Sequence, residues 1–419
     1  MNLKGWDVIS FTPVKNINTV IKQNWKELTF NAKRDNIELY GSFGEWSIVP
    51  GGGGKFIRMH CPISSGRLIM EGNELKLDGM IAVFQVMLNF FDQISATRQN
   101  ADYNLLNLTF DFKIAFPLTE SGNPAVPAEV GEEIGGIVQP IDLLNCTSLK
   151  KYIILNMLAD YLVEHTSIFQ PIFAAVTLKG RFGTWISPVK CRYSFLDSAN
   201  PYIAILAVCT DRDISNLPLD VDVAGIDLNS GQSYYAISKG LFVKNVGIPC
   251  FTTMFQSSAN DYMLVDDILT NQNRVTMPSI TVGAIDYSPY VNARHASIWI
   301  VGNTLHVDLD QGDCDLRAGI NMAWSSYNSF SCTFENGALK FTKTASSFTH
   351  NEDIPWYLRF IPLSFIIDIC VDCISDSLAS GISVKIDIKS AALNDIHWYG
   401  AQTNITSAFL NDGLVISYS

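Results

Sequence analysis

Gly51–Gly54 followed by Lys55 is a stretch whose residue types could do chemistry, because a glycine-rich backbone nest can cradle phosphate. The spacing argues against it. A phosphate loop needs G-x-x-x-x-G-K-[ST], and Val49 stands where the first glycine belongs, with Phe56 where the magnesium-binding hydroxyl belongs. The mechanism also needs a helix start aimed at the anion, whereas "FIRMHCPI" after Lys55 alternates as a strand does. The glycines are therefore expected to form a flexible corner between two strands.

"HVDLDQGDCDLR" (His306–Arg317) is the best metal candidate. Asp308, Asp310, Asp313 and Asp315 surround Gly312, but a calcium loop wants its glycine at position six and a glutamate at twelve, and neither holds. On a strand, His306, Asp308 and Asp310 would share one face, so a solvated hairpin face is expected, with calcium binding left open. Cys370 and Cys373 form one C-x-x-C with no second pair at zinc spacing and no strand and turn before it. None of the six histidines pairs with another at ligand spacing, and no G-x-S-x-G or H-E-x-x-H occurs. No metal, cofactor or catalytic constellation is expected, and the chain is expected not to be an enzyme.

Two helices carry the remaining polar groups. Over Thr147–Gln170, Ile154, Met157, Leu158, Tyr161 and Leu162 repeat at helical spacing. Over Pro362–Gly381, Ile366, Ile369 and Cys373 do the same. Each helix bears one narrow polar stripe: Asn156, Asp160 and Glu164 in the first, Asp368, Asp372 and Asp376 in the second. The rest of each circumference is apolar, so a flat sheet cannot satisfy it; a curved sheet must wrap it. A shorter amphipathic helix is expected over Val14–Leu28, and "SYYAISKGLFVKNVGIPCFTTMF" (Ser233–Phe255) reads as another, kinked or ended near Pro249.

Antiparallel strands fill the intervals. One meander is expected from Ile37 to Leu118 and another from Val275 to Phe348, with strands at "VKCRYSFL", "YIAILAVC" and the C-terminal "GLVISYS". Thr119–Gly136 and the acidic Asp211–Gly231 read as loops. The order helix, meander, long helix, strands occurs twice. We expect an α+β fold with two pseudo-repeated halves, residues 1–212 and 213–419, which may share a central sheet.

Composition narrows the partners. The formal net charge is −12, which repels nucleic-acid phosphates and anionic head groups. With 47% hydrophobic residues the chain can bury a large core. No run of about 18 apolar residues suggests a spanning helix, and no signal-peptide pattern opens the chain. The nine cysteines are expected to be reduced core residues, in a protein made in a cytosol.

The opening "GWD" before an amphipathic helix, then "GSFGEWSIVPGGGGKFIRMHCPISSG", then "PWYLRFIPLSFIID", resembles the forty-seven-kilodalton clostridial toxin-cluster proteins, encoded beside botulinum-type neurotoxins with the OrfX proteins. The resemblance implies a tubular lipid-binding (TULIP) fold like that of bactericidal/permeability-increasing protein, long helices being wrapped by highly curved antiparallel sheets. It implies an accessory protein of a toxin complex, released with that complex, with lipid or another apolar ligand and other toxin-cluster proteins as partners. The groove would be lined by Ile154, Met157, Leu158, Tyr161, Ile366, Ile369 and Cys373, unless these are plain core. Phe173, Trp185, Phe255, Trp324 and Trp356 could fill it. The alternative is a protein-interaction scaffold with a filled core and no lipid.

Overall fold

A computed structural model of the protein describes residues 1–92, 104–111, 115–117, 135–138, 148–165, 174–178, 185–282, 284–315, 321–335, 338–351, 396–398 and 404–418. Its strands are almost all antiparallel. Among the described residues one parallel pairing occurs, joining Gly135–Ile137 to Ala115–Pro117.

A six-stranded sheet sits at the centre, and both halves of the chain build it. Its order runs Lys190–Leu196, Tyr202–Val208, Val8–Pro13, Ser233–Ser238, Gly413–Tyr418, Ile405–Leu410. Read inward from either edge, it is a hairpin followed by a strand that launches a helix. Val8–Pro13 leads into α1 (Val14–Gln23), and Ser233–Ser238 leads into a helix over Lys239–Met254. Each of those helices leads into a meander. An eleven-stranded sheet contains the first meander, and the short strand Ile396–Trp398 joins it from far along the chain. An eight-stranded sheet contains the second.

The launching strands were not expected. Val8–Pro13 is buried at every position, and Ser233–Ser238 at all but its last. A strand covered on both faces shows no alternation, so its apolar run merges with the helix after it. The helix expected over Ser233–Phe255 is thus a strand and then a helix, which runs through Pro249 to Met254. Burial of Cys250, Phe251 and Met254 against the sheets outweighs the amide bond that proline cannot make. α1 is shorter than expected. It stops at Asn24, whose side chain donates back to the Val20 carbonyl at 2.9 Å, and Leu28 opens a strand, Leu28–Arg34.

Between α1 and this helix comes α2 (Ser148–Glu164), so the helix over Lys239–Met254 is α3. The stripe on α2 is as expected. Asp160 and Glu164 are exposed and Asn156 half-exposed, while Ile154, Leu155, Met157, Leu158, Ala159 and Leu162 are buried. The helix expected over Pro362–Gly381, with Ile366, Ile369 and Cys373, lies outside the described residues.

The glycine run is a corner, as the spacing required. Gly53 pairs with Phe56 across a two-residue turn, and a register shift separates it from Val49. The corner also clasps the first meander to the central sheet. Gly54 and Phe195 exchange backbone hydrogen bonds of 3.2 and 2.7 Å, and the Gly51 amide donates to Asp197 Oδ1 at 2.8 Å. A Cβ on Gly52 would fall 2.4 Å from the Phe56 carbonyl oxygen, so only glycine fits there.

Tyr193 makes a second clasp. Its hydroxyl donates to the Lys55 carbonyl at 2.6 Å and accepts from the Leu88 amide at 2.7 Å. Tyr193→Phe should cost about 1–3 kcal/mol, because two backbone groups lose their shared partner. Urea denaturation checks this; an unchanged midpoint would show that water replaces the hydroxyl.

Candidate ligand-binding site

Three places could bind something: the seam under α2, a polar cleft at the start of α3, and the inner face of the second meander. The first holds four of the sequence-predicted liners. Ile154, Met157 and Leu158 are packed into the main core. Tyr161 is half-buried and stacks on His165, ring centroids 4.0 Å apart. α2 lies against strand Leu28–Arg34 and the short Ala115–Pro117 strand. At the start of α2, however, Leu149 and Tyr152 are exposed by 64% and 56%.

The cleft has a volume of about 660 Å³. The N-terminal segment, the start of α3 and the turn at Asp267 line it. Its charges largely satisfy one another. Arg212 donates to Asp7 at 2.7 Å, Lys4 pairs with Asp220, and Lys239 lies 3.8 Å from Asp267. Asp7 also accepts from the Cys209 amide at 2.8 Å. The Lys4 ammonium beside Asp220 holds that carboxyl below its ordinary range, and backbone donors from Ala224 and Asn2 do the same for Asp222. The cleft reads as a clasp of ion pairs that pins the N-terminal segment, with no isolated base or nucleophile.

The inner face of the second meander differs. Strand Asn321–Glu335 turns Met322, Trp324, Ser326, Asn328, Phe330 and Cys332 inward, and all are buried. The meander was expected here, but this face and its polar content were not foreseen. Asn328 Nδ2 donates to Ser326 Oγ at 3.0 Å. Asn328 Oδ1 and Trp324 Nε1 are buried with no partner among the described residues. An orphaned acceptor and an orphaned donor thus stand four residues apart on one apolar face. Trp324 lies between Gly312 and Phe348, the two rings nearly parallel with centroids 5.9 Å apart.

Other chemistry stays inert. Among the described residues no three His, Cys, Asp or Glu side chains gather to hold a metal. The expected hairpin face around Asp308 is one long strand, Thr304–Asp315, with a register shift between Leu309 and Gly312. Asp313 accepts from Asn292 and Asn321 rather than facing a cation. The six described cysteines are free and buried or half-buried, and burial pushes the Cys191, Cys250 and Cys332 thiols up to about 12. Phe255 and Trp324 are buried and Trp185 packs on the core; Phe173 and Trp356 lie outside the described residues. No described helix is long and apolar enough to cross a membrane.

Two largely antiparallel meanders joined to a sheet that both halves of the chain build define a β-rich, mostly antiparallel fold as the class of protein. The chain belongs to the OrfX-like family described as Protein OrfX2/OrfX3/P47, whose family model matches residues 3–335. It is 26% identical over 253 residues to Protein P47 of Clostridium botulinum (strain Kyoto / Type A2), covering 59% of this chain and 55% of that relative's length. It is 21% identical over 338 residues to Protein OrfX3 of Paraclostridium bifermentans, covering 70% and 65%. The solved structure of P47 from Clostridium botulinum A2 shares the fold, with a TM-score of 0.77 at 21% identity over 100% of this chain and 98% of that one.

Proposed function

We propose that this chain is a non-enzymatic accessory protein of a neurotoxin gene cluster, with a tubular lipid-binding type of fold, that holds a lipid or another apolar ligand. The observation that carries the reading is the pair of orphaned polar atoms, Trp324 Nε1 and Asn328 Oδ1, on an otherwise apolar inner face. A buried donor or acceptor without a partner costs free energy; an amphipathic ligand with a carbonyl to accept from the indole and a hydroxyl to donate to the amide oxygen would satisfy both. Family membership supports the accessory role, and the exposed Leu149 and Tyr152 offer apolar surface at the start of α2. Other toxin-cluster proteins are the proposed protein partners.

Extraction tests it. Protein purified without detergent and extracted with organic solvent should release a lipid in near-stoichiometric amount by mass spectrometry, and Asn328→Leu should release markedly less. A clean extract together with no thermal protection by added phospholipid vesicles would overturn the ligand reading.

A second reading, a protein scaffold with a filled core, rests on a different observation. Ile154, Met157 and Leu158 on α2, and Trp324 and Asn328 on the second meander, are all at most 4% exposed, so neither place shows an opening beside those side chains. Co-purification with the products of neighbouring genes, with an empty extract, would favour it.

A further inference from the structure

The outer face of the second meander carries groups that neither the fold nor the proposed ligand uses. Trp299 and His306 are cross-strand partners whose rings stack at 5.3 Å with planes 16° apart. The next outward pair on those strands is Ser297 with Asp308, and Asp308 faces Tyr327 on its other side. Tyr327 is 40% exposed. The register that pairs Leu269 with Ile298 puts Ile268 beside Trp299, and Ile268 and Val301 are exposed as well.

The hydrogen bonds on this face are unevenly used. Asp310 accepts from Ser325 at 2.9 Å and Tyr327 at 3.3 Å, and lies 3.7 Å from His295. His306 Nδ1 meets Ser329 Oγ at 3.2 Å, which leaves Nε2 without a hydrogen bond among the described residues. Asp308, half-buried between Ser297 and Tyr327, has no hydrogen bond among the described residues. Two neighbouring outward rows of the sheet, Trp299 with His306 and Asp308 with Tyr327, thus offer an aromatic ring, an imidazole nitrogen, an unfilled carboxylate acceptor and a second ring. Two strand spacings, about 10 Å, separate the strands of the two rings.

We infer that this face binds a neutral oligosaccharide, with Trp299 as the stacking platform and Asp308 as the acceptor for sugar hydroxyls. The C–H face of a pyranose packs on an aromatic ring, and its hydroxyls need acceptors beside that ring. The distance between the rings spans more than one sugar. Asp308, Asp310, Asp313 and Asp315 on one strand, with the net charge of −12, select against sialylated or sulfated glycans. A vacant acceptor also has a stability signature. Burial pushes the Asp308 carboxyl up, with His306 opposing and Asp310 adding to it. A carboxyl raised in the fold destabilises the charged folded state at neutral pH, and that cost disappears as pH falls below the carboxylate range.

The test uses the full chain on an array of neutral and anionic glycans, with titration calorimetry on the best neutral oligosaccharide. Trp299→Ala should weaken binding about tenfold or more, Trp299→Phe should retain most of it, and Tyr40→Ala on the other meander should change nothing. Asp308→Asn should weaken binding and raise Tm at neutral pH, the gain vanishing in acid. Were Trp299→Ala to misfold by circular dichroism, Trp299→Phe and Asp308→Asn would decide. Absence of any bound neutral glycan, preference for anionic glycans, or binding indifferent to both Trp299→Ala and Asp308→Asn would overturn the inference.

Discussion

Leu158→Ala is expected to destabilise the protein by about 2–5 kcal/mol in urea denaturation, near the largest effect a single truncation here can have. Leu158 is fully buried on α2, with Ile154, Met157 and Leu162 around it. Removing its branched end leaves a cavity that a helix held between neighbours closes only in part. Asp160→Ala, two residues along on the wet stripe, should change stability by less than about 0.5 kcal/mol. Its partner Arg34 is 3.7 Å away, and both side chains are mostly exposed, so the ion pair contributes little. The contrast also separates the two functional readings at this seam. A residue lining an open groove loses few packed neighbours on truncation. A loss below about 1 kcal/mol would place Leu158 at an opening and return the α2 seam to consideration as a ligand site. A loss in the expected range makes Leu158 core.

How much of this was legible depended on how each segment meets solvent. The meander strands face water on one side, so their alternation survives in the sequence. Trp324, Ser326 and Asn328 inward against Ser325, Tyr327 and Ser329 outward is such a pattern. The stripe Asn156, Asp160, Glu164 was legible for the same reason. Val8–Pro13 and Ser233–Ser238 are covered on both faces and have no period to read. Missing them left the expected shared sheet without its two middle strands, which lie far apart in the chain. The polar sites were illegible for another reason. Trp299 with His306 and Asp308 with Tyr327 become adjacent pairs only through cross-strand register, which a single strand does not carry. The orphaned atoms depend on what surrounds them, and no local spacing encodes that.

Gly312 shows the difference most sharply, because its sequence context suggested a calcium loop. In the fold it is a seat for an indole. A Cβ placed on Gly312 would lie 2.2 Å from Trp324 Cε2 and 2.5 Å from Cδ2, so the ring rests flat on the glycine. On the neighbouring strand Phe348 stacks nearly parallel to that ring, which limits retreat. Gly312→Ala should therefore cost about 1–3 kcal/mol by overpacking, through the ring and not through backbone conformation. A double-mutant cycle separates the two causes. Trp324→Ala alone should cost about 3–5 kcal/mol, and adding Gly312→Ala to it should cost almost nothing further. Near-UV circular dichroism should show the Trp324 environment altered in Gly312→Ala while the far-UV signal stays. Additive losses in the cycle would mean that glycine serves the bend after Leu309 instead. Trp324 Nε1 is one of the two orphaned atoms, so displacing its ring should also lower any lipid recovered from Gly312→Ala protein. Lipid recovered in full from that variant, with the ring displaced, would remove Trp324 from the ligand site and leave Asn328 to hold it.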